Sequence, residues 1–245
     1  MSATLEIRDL YKRYGRTSAL KGVSLTIEVG EVVGLIGRNG AGKTTMVEIA
    51  AGLHRADRGT VRILGLDPQR DRAALRQVLG VQLQESQLHS SLRVGELARL
   101  FRSFYRNGRD PDALLERLGL HDQRRTVFDH LSGGQQQRLS IALALVGRPR
   151  VIVLDELTTG LDPEARREVW TLVEDLRQEG VTVLLISHAM DEVERLCDRV
   201  VVLAAGRVVA DDTPAGLVRT TGVPTLEDAF LQLTVAGTGL GPEAS

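Results

Sequence analysis

Apolar and polar residues alternate in LEIRDL (5–10) and again along GVSLTIEVGEVVGLIG (22–37), where the alternation gives way to an apolar run from Val32. Period two marks a half-buried strand, and a short apolar run bounded by glycine marks a strand covered on both faces. The first 37 residues therefore predict short strands, the last of them increasingly buried. From Thr44 to Leu53 the spacing changes: Met46, Val47, Ile49, Ala50 and Leu53 fall at helical positions, with Gly52 near the end. GTVRILGLD (59–67) predicts a further strand, RAALRQVLG a short helix, and LGVQLQES (79–86) a strand leaving the core. Between Arg93 and Val146 no strand pattern occurs, and VGELARLFRSFY, PDALLERLGL and GGQQQRLSIALALVG all carry helical spacing. The two periods then alternate again: strand 151–156, helix 163–178, strand 181–187, helix 189–196, strands RVVVLAAG and RVVADD, and an amphipathic helix at 225–234.

Strands alternating with helices imply a mostly parallel sheet of the α/β class. The helical stretch, about 88–147, reads as an inserted subdomain, and the early antiparallel-type strands as an N-terminal β subdomain. No internal repeat is present, so residues 1–233 predict a single domain, and the small, polar tail 234–245 reads as disordered.

Composition narrows this little. With 42% hydrophobic and 26% charged residues, the 245-residue chain is ordinary globular material. A formal charge of −1 and a pI near 6.5 provide no positive field, so no nucleic-acid partner is expected. Cys197 is the single cysteine, which excludes an intrachain disulfide and a multi-cysteine metal site and suits a reducing cytoplasm. The N-terminus lacks a signal-peptide core, and the longest apolar runs fall far short of the roughly 20 residues a membrane helix needs. Lysine occurs only at 12, 21 and 43, so a lysine placed in a glycine-rich turn stands out.

That turn is Gly37-Arg38-Asn39-Gly40-Ala41-Gly42-Lys43-Thr44, which fits G-x-x-x-x-G-K-[ST] after a buried strand and before a helix. Glycines let the backbone wrap an anion, and successive N–H groups with the helix N-terminus point at phosphate oxygens. Lys43 would neutralise β- and γ-phosphate oxygens, and Thr44 would ligate Mg²⁺. VIVLDE ends a fully buried strand in Asp155 and Glu156, at the sheet edge where ligands bind. Asp155 can hold Mg²⁺ through water, and Glu156 can orient or deprotonate an attacking water. LSGGQQQR (131–138) places Ser132 before two glycines that open a helix, a second anion-binding terminus for which the chain has only one comparable P-loop. It calls for the phosphates of another subunit.

With these motifs in this order, followed by TGLDP and ISHAMDEVERLCDRVVVL, the chain resembles the ATP-binding cassette family, and within it the nucleotide-binding subunit of a transporter. The resemblance spans nearly all of residues 4–233. It implies a P-loop NTPase core, ATP and Mg²⁺ as cofactors, and a head-to-tail dimer with a second copy. Each ATP would then lie between the P-loop of one subunit, including Gly37, Asn39, Gly40, Gly42, Lys43, Thr44 and Thr45, and Ser132, Gly133, Gly134 and Gln135 of the other. Carried onto this sequence, Tyr14 matches the aromatic that stacks on adenine, with Tyr11 as its rival. Gln84 matches the glutamine that touches Mg²⁺ and the attacking water, with Gln82 nearby. Asp162 matches the residue that crosses the dimer interface, and His188 the one that contacts the γ-phosphate. The family usually has proline after the catalytic glutamate; Leu157 stands here, which relaxes the bias of Glu156 towards extended geometry.

ATP-driven dimer closure, with hydrolysis reopening it, would then power a separate multi-helix permease from the cytoplasmic face of the membrane. GVQLQES, TTGLDP and PTLEDAFLQLT resemble the multidrug and antibiotic export branch. The alternative, a soluble ATPase of the same family acting in translation or DNA maintenance, is opposed by the single cassette, the lone cysteine and the absence of a heptad run.

Overall fold

The structure is a computed structural model that describes residues 3–82 and 91–237. Two sheets form among these residues. Strands β1 (Ala3–Tyr14), β2 (Thr17–Glu28) and β4 (Arg58–Ile63) make an antiparallel sheet in the order β2-β1-β4. The main sheet takes β3 (Val32–Ile36), β5 (Leu79–Gln82), β6 (Val151–Asp155), β7 (Thr182–Ile186), β8 (Arg199–Ala204) and β9 (Arg207–Asp212) in the order β5-β6-β7-β3-β8-β9. Its pairs are parallel except for β8 with β9.

Why the central strands read as unbroken apolar runs is plain from where their side chains go. In β6, Val151 and Val153 join one hydrophobic cluster while Ile152 and Leu154 join the other. The same division separates Val183 and Leu185 from Leu184 and Ile186 in β7. Successive side chains point to opposite faces of a strand, so a sheet covered on both sides needs apolar residues at every position. One cluster lies against α1 (Lys43–Ala50), α2 (Arg72–Leu75) and the antiparallel sheet. The other includes α6 (Pro163–Gln178), α7 (Met190–Leu196), α9 (Leu226–Gly237) and the helical insert.

That insert comprises α3 (Val94–Ser103), α4 (Pro111–Arg117), a 3₁₀ turn at Phe128–His130 and α5 (Gly133–Leu145). Besides its shared apolar core, it is fastened to α6 by ion pairs. Arg109 meets Glu179 at 2.5 Å, Arg117 meets Asp175 at 2.8 Å and Glu179 at 3.2 Å, and Arg138 meets Glu168 at 3.0 Å. The three carboxylates, at spacings of seven and four residues, share one face of the helix.

Two expectations are corrected, and one element was not foreseen. The first two strands run 12 residues each and are not short. A helix unforeseen in the sequence, α8 (Pro214–Thr221), begins at the N-cap Thr213, whose hydroxyl accepts the N–H of Gly216, and ends at Gly222 with φ of 72°. The supposed tail does not begin at 234, because α9 continues to Gly237. Thr234 is fully buried, and its hydroxyl donates to the carbonyl of Phe230 at 2.8 Å, so this β-branched residue continues the helix where it looked like an end.

Candidate functional site

The loop between β3 and α1 is made by local crowding. A Cβ at Gly37 would sit 2.5 Å from the carbonyl oxygen of Leu203 on β8. At Gly42, φ is 106° and a Cβ would meet the carbonyl oxygen of Ala19 at 2.5 Å. Only glycine fits both, so the backbone itself lines the hollow. The first bond closing α1 runs from the Met46 N–H to the Gly42 carbonyl at 3.0 Å, which leaves the N–H groups of Lys43, Thr44 and Thr45 as the helix's first-turn donors. The Lys43 ammonium is nearly buried and donates to the carbonyls of Gly37 at 2.6 Å and Arg38 at 3.3 Å. Burial draws its pKa below the ordinary lysine value, and Asp155 and Glu156 offset part of that.

Asp155 ends β6 opposite this loop. Burial, then repulsion from Glu156, pushes its carboxyl up to about 6 against the pull of Lys43. Its N–H is held by the Gln82 side-chain oxygen at 3.0 Å. Gln82, fully enclosed at the end of β5, thus anchors the strand end that carries both acids. Gln84 lies outside the described residues.

Glu156 takes φ of 51°, the left-handed region that non-glycine residues rarely enter. Its N–H donates to the carbonyl of Ile186 on β7 at 2.9 Å, and the side chain of Leu157 is fully buried. The freedom expected from leucine in place of proline is thus used to turn Glu156 out of extended geometry. His188 follows β7, and its Nε2 lies 3.5 Å from Oε1 of Glu156. Burial first, then Lys43, lowers the imidazole pKa, with Glu156 opposing, which favours the neutral ring near pH 7.

A concavity of about 470 Å³ gathers Asn39, Gly40, Gly42, Lys43, Thr44, Thr45, Asp155, Glu156 and His188. Besides Ala41 of the loop, Thr17 and Ala19 at the start of β2 complete the lining. The sequence reading missed both; their only signal was proximity to the turn after Tyr14. Tyr14 itself stands exposed at the end of β1, register partner of Thr17, with its ring edge-on to His54. Both candidate rings carry a cation, Lys12 at 5.2 Å from the Tyr14 centroid and Arg58 at 5.3 Å from that of Tyr11, whose hydroxyl also packs on Gly22; neither tyrosine lines the concavity.

None of Ser132, Gly133, Gly134 or Gln135 lines that concavity. Ser132 caps α5 reciprocally: its hydroxyl accepts the Gln135 N–H at 3.3 Å, and the Gln135 side-chain oxygen accepts the Ser132 N–H at 3.0 Å. A Cβ at Gly133 would face open space, so this terminus is turned outward. Asp162 caps α6 by accepting the N–H groups of Glu164 and Ala165. Among the described residues, no cluster of three or more His, Cys, Asp or Glu forms a metal site made of protein alone.

A family profile described as ABC transporter matches residues 20–159. The chain is 40% identical over 224 residues to the Nod factor export ATP-binding protein I of Burkholderia orbicola, covering 88% of this chain and 73% of that protein. It is 40% identical to the methionine import ATP-binding protein MetN of Rhizobium johnstonii, covering 84% of this chain and 60% of the relative. It is also 40% identical to the daunorubicin resistance ATP-binding protein DrrA3 of Streptomyces coeruleorubidus, over 86% and 68%. Among solved structures, an ATP-binding subunit of an ABC transporter superposes with a TM-score of 0.87 at 29% identity, over 94% of this chain and 99% of that one. A dimeric ATP-binding cassette in a post-hydrolysis state, bound to ADP and Pi, gives 0.78 at 26% identity, over 85% and 98%. The parallel sheet with its P-loop, the paired acids at the end of β6 and the outward-facing capped helix thus belong to an ATPase, and the chain is a member of the ABC transporter family of ATP-binding cassettes.

Proposed function

We propose that this chain is the ATP-hydrolysing subunit of an exporter of drugs or other small hydrophobic compounds, working as a head-to-tail dimer beneath a separate permease. The observation that carries the dimer is the separation just described: one chain holds a phosphate hollow and a second glycine-lined helix terminus that does not reach it. In the dimer, the Ser132 hydroxyl and the first turn of α5 would add charge-assisted hydrogen bonds to a γ-phosphate already held by the partner's P-loop. Such bonds contribute roughly 1.5–3 kcal/mol each, so a few across two sites suffice to drive closure.

Within each site, the N–H groups of the P-loop and Lys43 would hold the β- and γ-phosphates, with Tyr14 stacking on the adenine. His188 would hold the γ-phosphate, and Glu156 would accept the proton of the attacking water. The donor set fits Mg²⁺: the Thr44 hydroxyl and the Asp155 carboxylate are hard oxygen donors in the same hollow, and a buried carboxylate with a raised pKa gains from a cation beside it. When bound, Mg²⁺ would supply charge neutralisation at the phosphates.

A permease would dock across the joint between core and insert. Leu53, 59% exposed, lines a groove of about 240 Å³ with Leu75, Leu79 and Val81. Gln77, beside that groove, donates to the carbonyl of Phe104 and accepts the N–H of Arg106, which brings exposed Phe104 and Leu100 of the insert to the same surface. No helix among the described residues is long and apolar enough to cross a membrane, in keeping with a peripheral subunit. Export is favoured by the Nod factor, daunorubicin and linearmycin relatives, against the equally similar methionine import protein.

The test is purification of the tagged chain from detergent-solubilised membranes of its host. A stoichiometric multi-helix protein that copurifies, and whose loss abolishes efflux, is expected. Recovery from the cytosol with ribosomes or DNA would overturn the assignment.

A further inference from the structure

Glu192 is a carboxylate with no contact to the nucleotide hollow and no exposed surface. It lies in the first turn of α7, yet its bonds go elsewhere. Oε2 accepts the Ser187 hydroxyl at 2.5 Å, at the end of β7 and one residue before His188. Oε1 accepts the Trp170 indole N–H at 3.2 Å, from α6. Ser187 meanwhile accepts the N–H of Ala189 at 3.0 Å. The turn that carries His188 is thus pinned on both sides through one hydroxyl, and that hydroxyl is oriented by Glu192.

From this arrangement we infer that Glu192 is a positioning residue for ATP hydrolysis, locking the His188 turn and α6 into a single unit. A buried carboxylate that satisfies two donors from two segments fixes their mutual geometry, because moving either segment leaves a polar group unpaired in a dry interior. The direct link between the two loops, the Glu156 N–H to the Ile186 carbonyl, fixes the strand ends only. Glu192 extends the hold to the turn beyond β7. Trp170 is the chain's sole tryptophan and is bonded to this carboxylate, so its emission should report the state of the unit when a γ-phosphate engages His188.

The inference rests on the role proposed for His188, and the test separates the two. In Glu192→Gln the amide oxygen can still accept the indole N–H, but the N–H₂ then faces the Ser187 hydroxyl, whose own proton is left without its acceptor. Measured on the purified full chain at a temperature well below each variant's own Tm, Glu192→Gln should lower kcat by about tenfold or more while KM for ATP moves less than about threefold. The ATP-dependent change in Trp170 fluorescence, absent with ADP, should also be lost. A fully folded Glu192→Gln with wild-type kcat and an unaltered fluorescence response would overturn the inference. Should that variant fail to fold, Ser187→Ala removes the donor that carries the turn, and it should give the same pattern of reduced kcat at unchanged KM; wild-type kcat there overturns the inference equally. His188→Ala supplies the control. If it turns over ATP normally, the role of His188 itself falls, whereas an inactive His188→Ala beside a fully active Glu192→Gln sinks the positioning role alone.

Discussion

The side-chain N–H₂ of Gln137 donates to the backbone carbonyls of both Glu156, at 3.3 Å, and Leu157, at 3.1 Å. Gln137 belongs to the first turns of α5, the helix capped by Ser132, so the outward-facing terminus and the candidate base are joined within one chain by a single amide. A residue held at φ of 51° needs such outside support, because left-handed geometry costs of order 1 kcal/mol or more for a non-glycine side chain.

Removing that amide should therefore loosen Glu156 without touching the nucleotide. Gln137→Ala is expected to lower kcat about three- to tenfold, with nucleotide affinity unchanged, since each hydrogen bond contributes about 0.5–1.5 kcal/mol. Steady-state hydrolysis beside equilibrium binding of a fluorescent nucleotide checks it; an unchanged kcat would mean that Glu156 is held without Gln137.

Asp155→Asn should separate stability from activity. A carboxyl pushed up to about 6 in the folded protein, but near 3.8 when unfolded, binds its proton more tightly when folded. Its burial therefore costs nothing below about pH 4, and the cost grows as the pH rises to about 6 and is constant above. Free of nucleotide, Asp155→Asn should be more stable than wild type at pH 8, by at most about 2–3 kcal/mol, and equal to it near pH 4. Mg²⁺-dependent hydrolysis should be lost at every pH. Thermal melts across pH 4–8 decide this.

Gly42→Ala should abolish nucleotide binding and also destabilise the chain. The added Cβ would stand 2.5 Å from the Ala19 carbonyl oxygen at a φ of 106°. Overpacking of this kind typically costs about 1–3 kcal/mol. A Tm equal to wild type, with ATP still bound, would show the loop to be far more pliable than its crowding indicates.

Ser132→Ala tests the partner's share of the site. Loss of the N-cap should lower stability by about 1 kcal/mol. ATP affinity of the dilute monomer should stay the same, because Ser132 does not line its own chain's hollow. ATP-dependent dimerisation, followed by light scattering in a Glu156→Gln background, should weaken markedly. Full dimerisation would remove Ser132 from the interface.

Much of this was legible in the sequence where one local rule decides the outcome. The bounds of α6 follow from the cap Asp162 and from Pro163 at its first position, and the P-loop follows from glycine spacing. Legibility failed where the partner lies far along the chain. Thr17 reaches the hollow only because β2 pairs with β1, and Gln82 anchors a residue 73 positions away. Glu192 carries no local signal of its role, since nothing in its neighbours announces Trp170. The helix α8 was overlooked although its signals, threonine before proline and glycine after the last turn, stood in plain order.

The arginine pairs that fasten the insert to α6 have a geometric corollary. Arg117 lies between Asp175 and Glu179, one helical turn apart, and Glu179 is shared again with Arg109. A cation held between two anions on a common rail can trade one for the other as the insert swivels, so a small rotation exchanges partners instead of stranding a charge. Such a joint would act as a bearing with built-in play, and ionic strength, acting as its lubricant, would set how freely the outward-facing helix terminus swings towards a neighbour's phosphate.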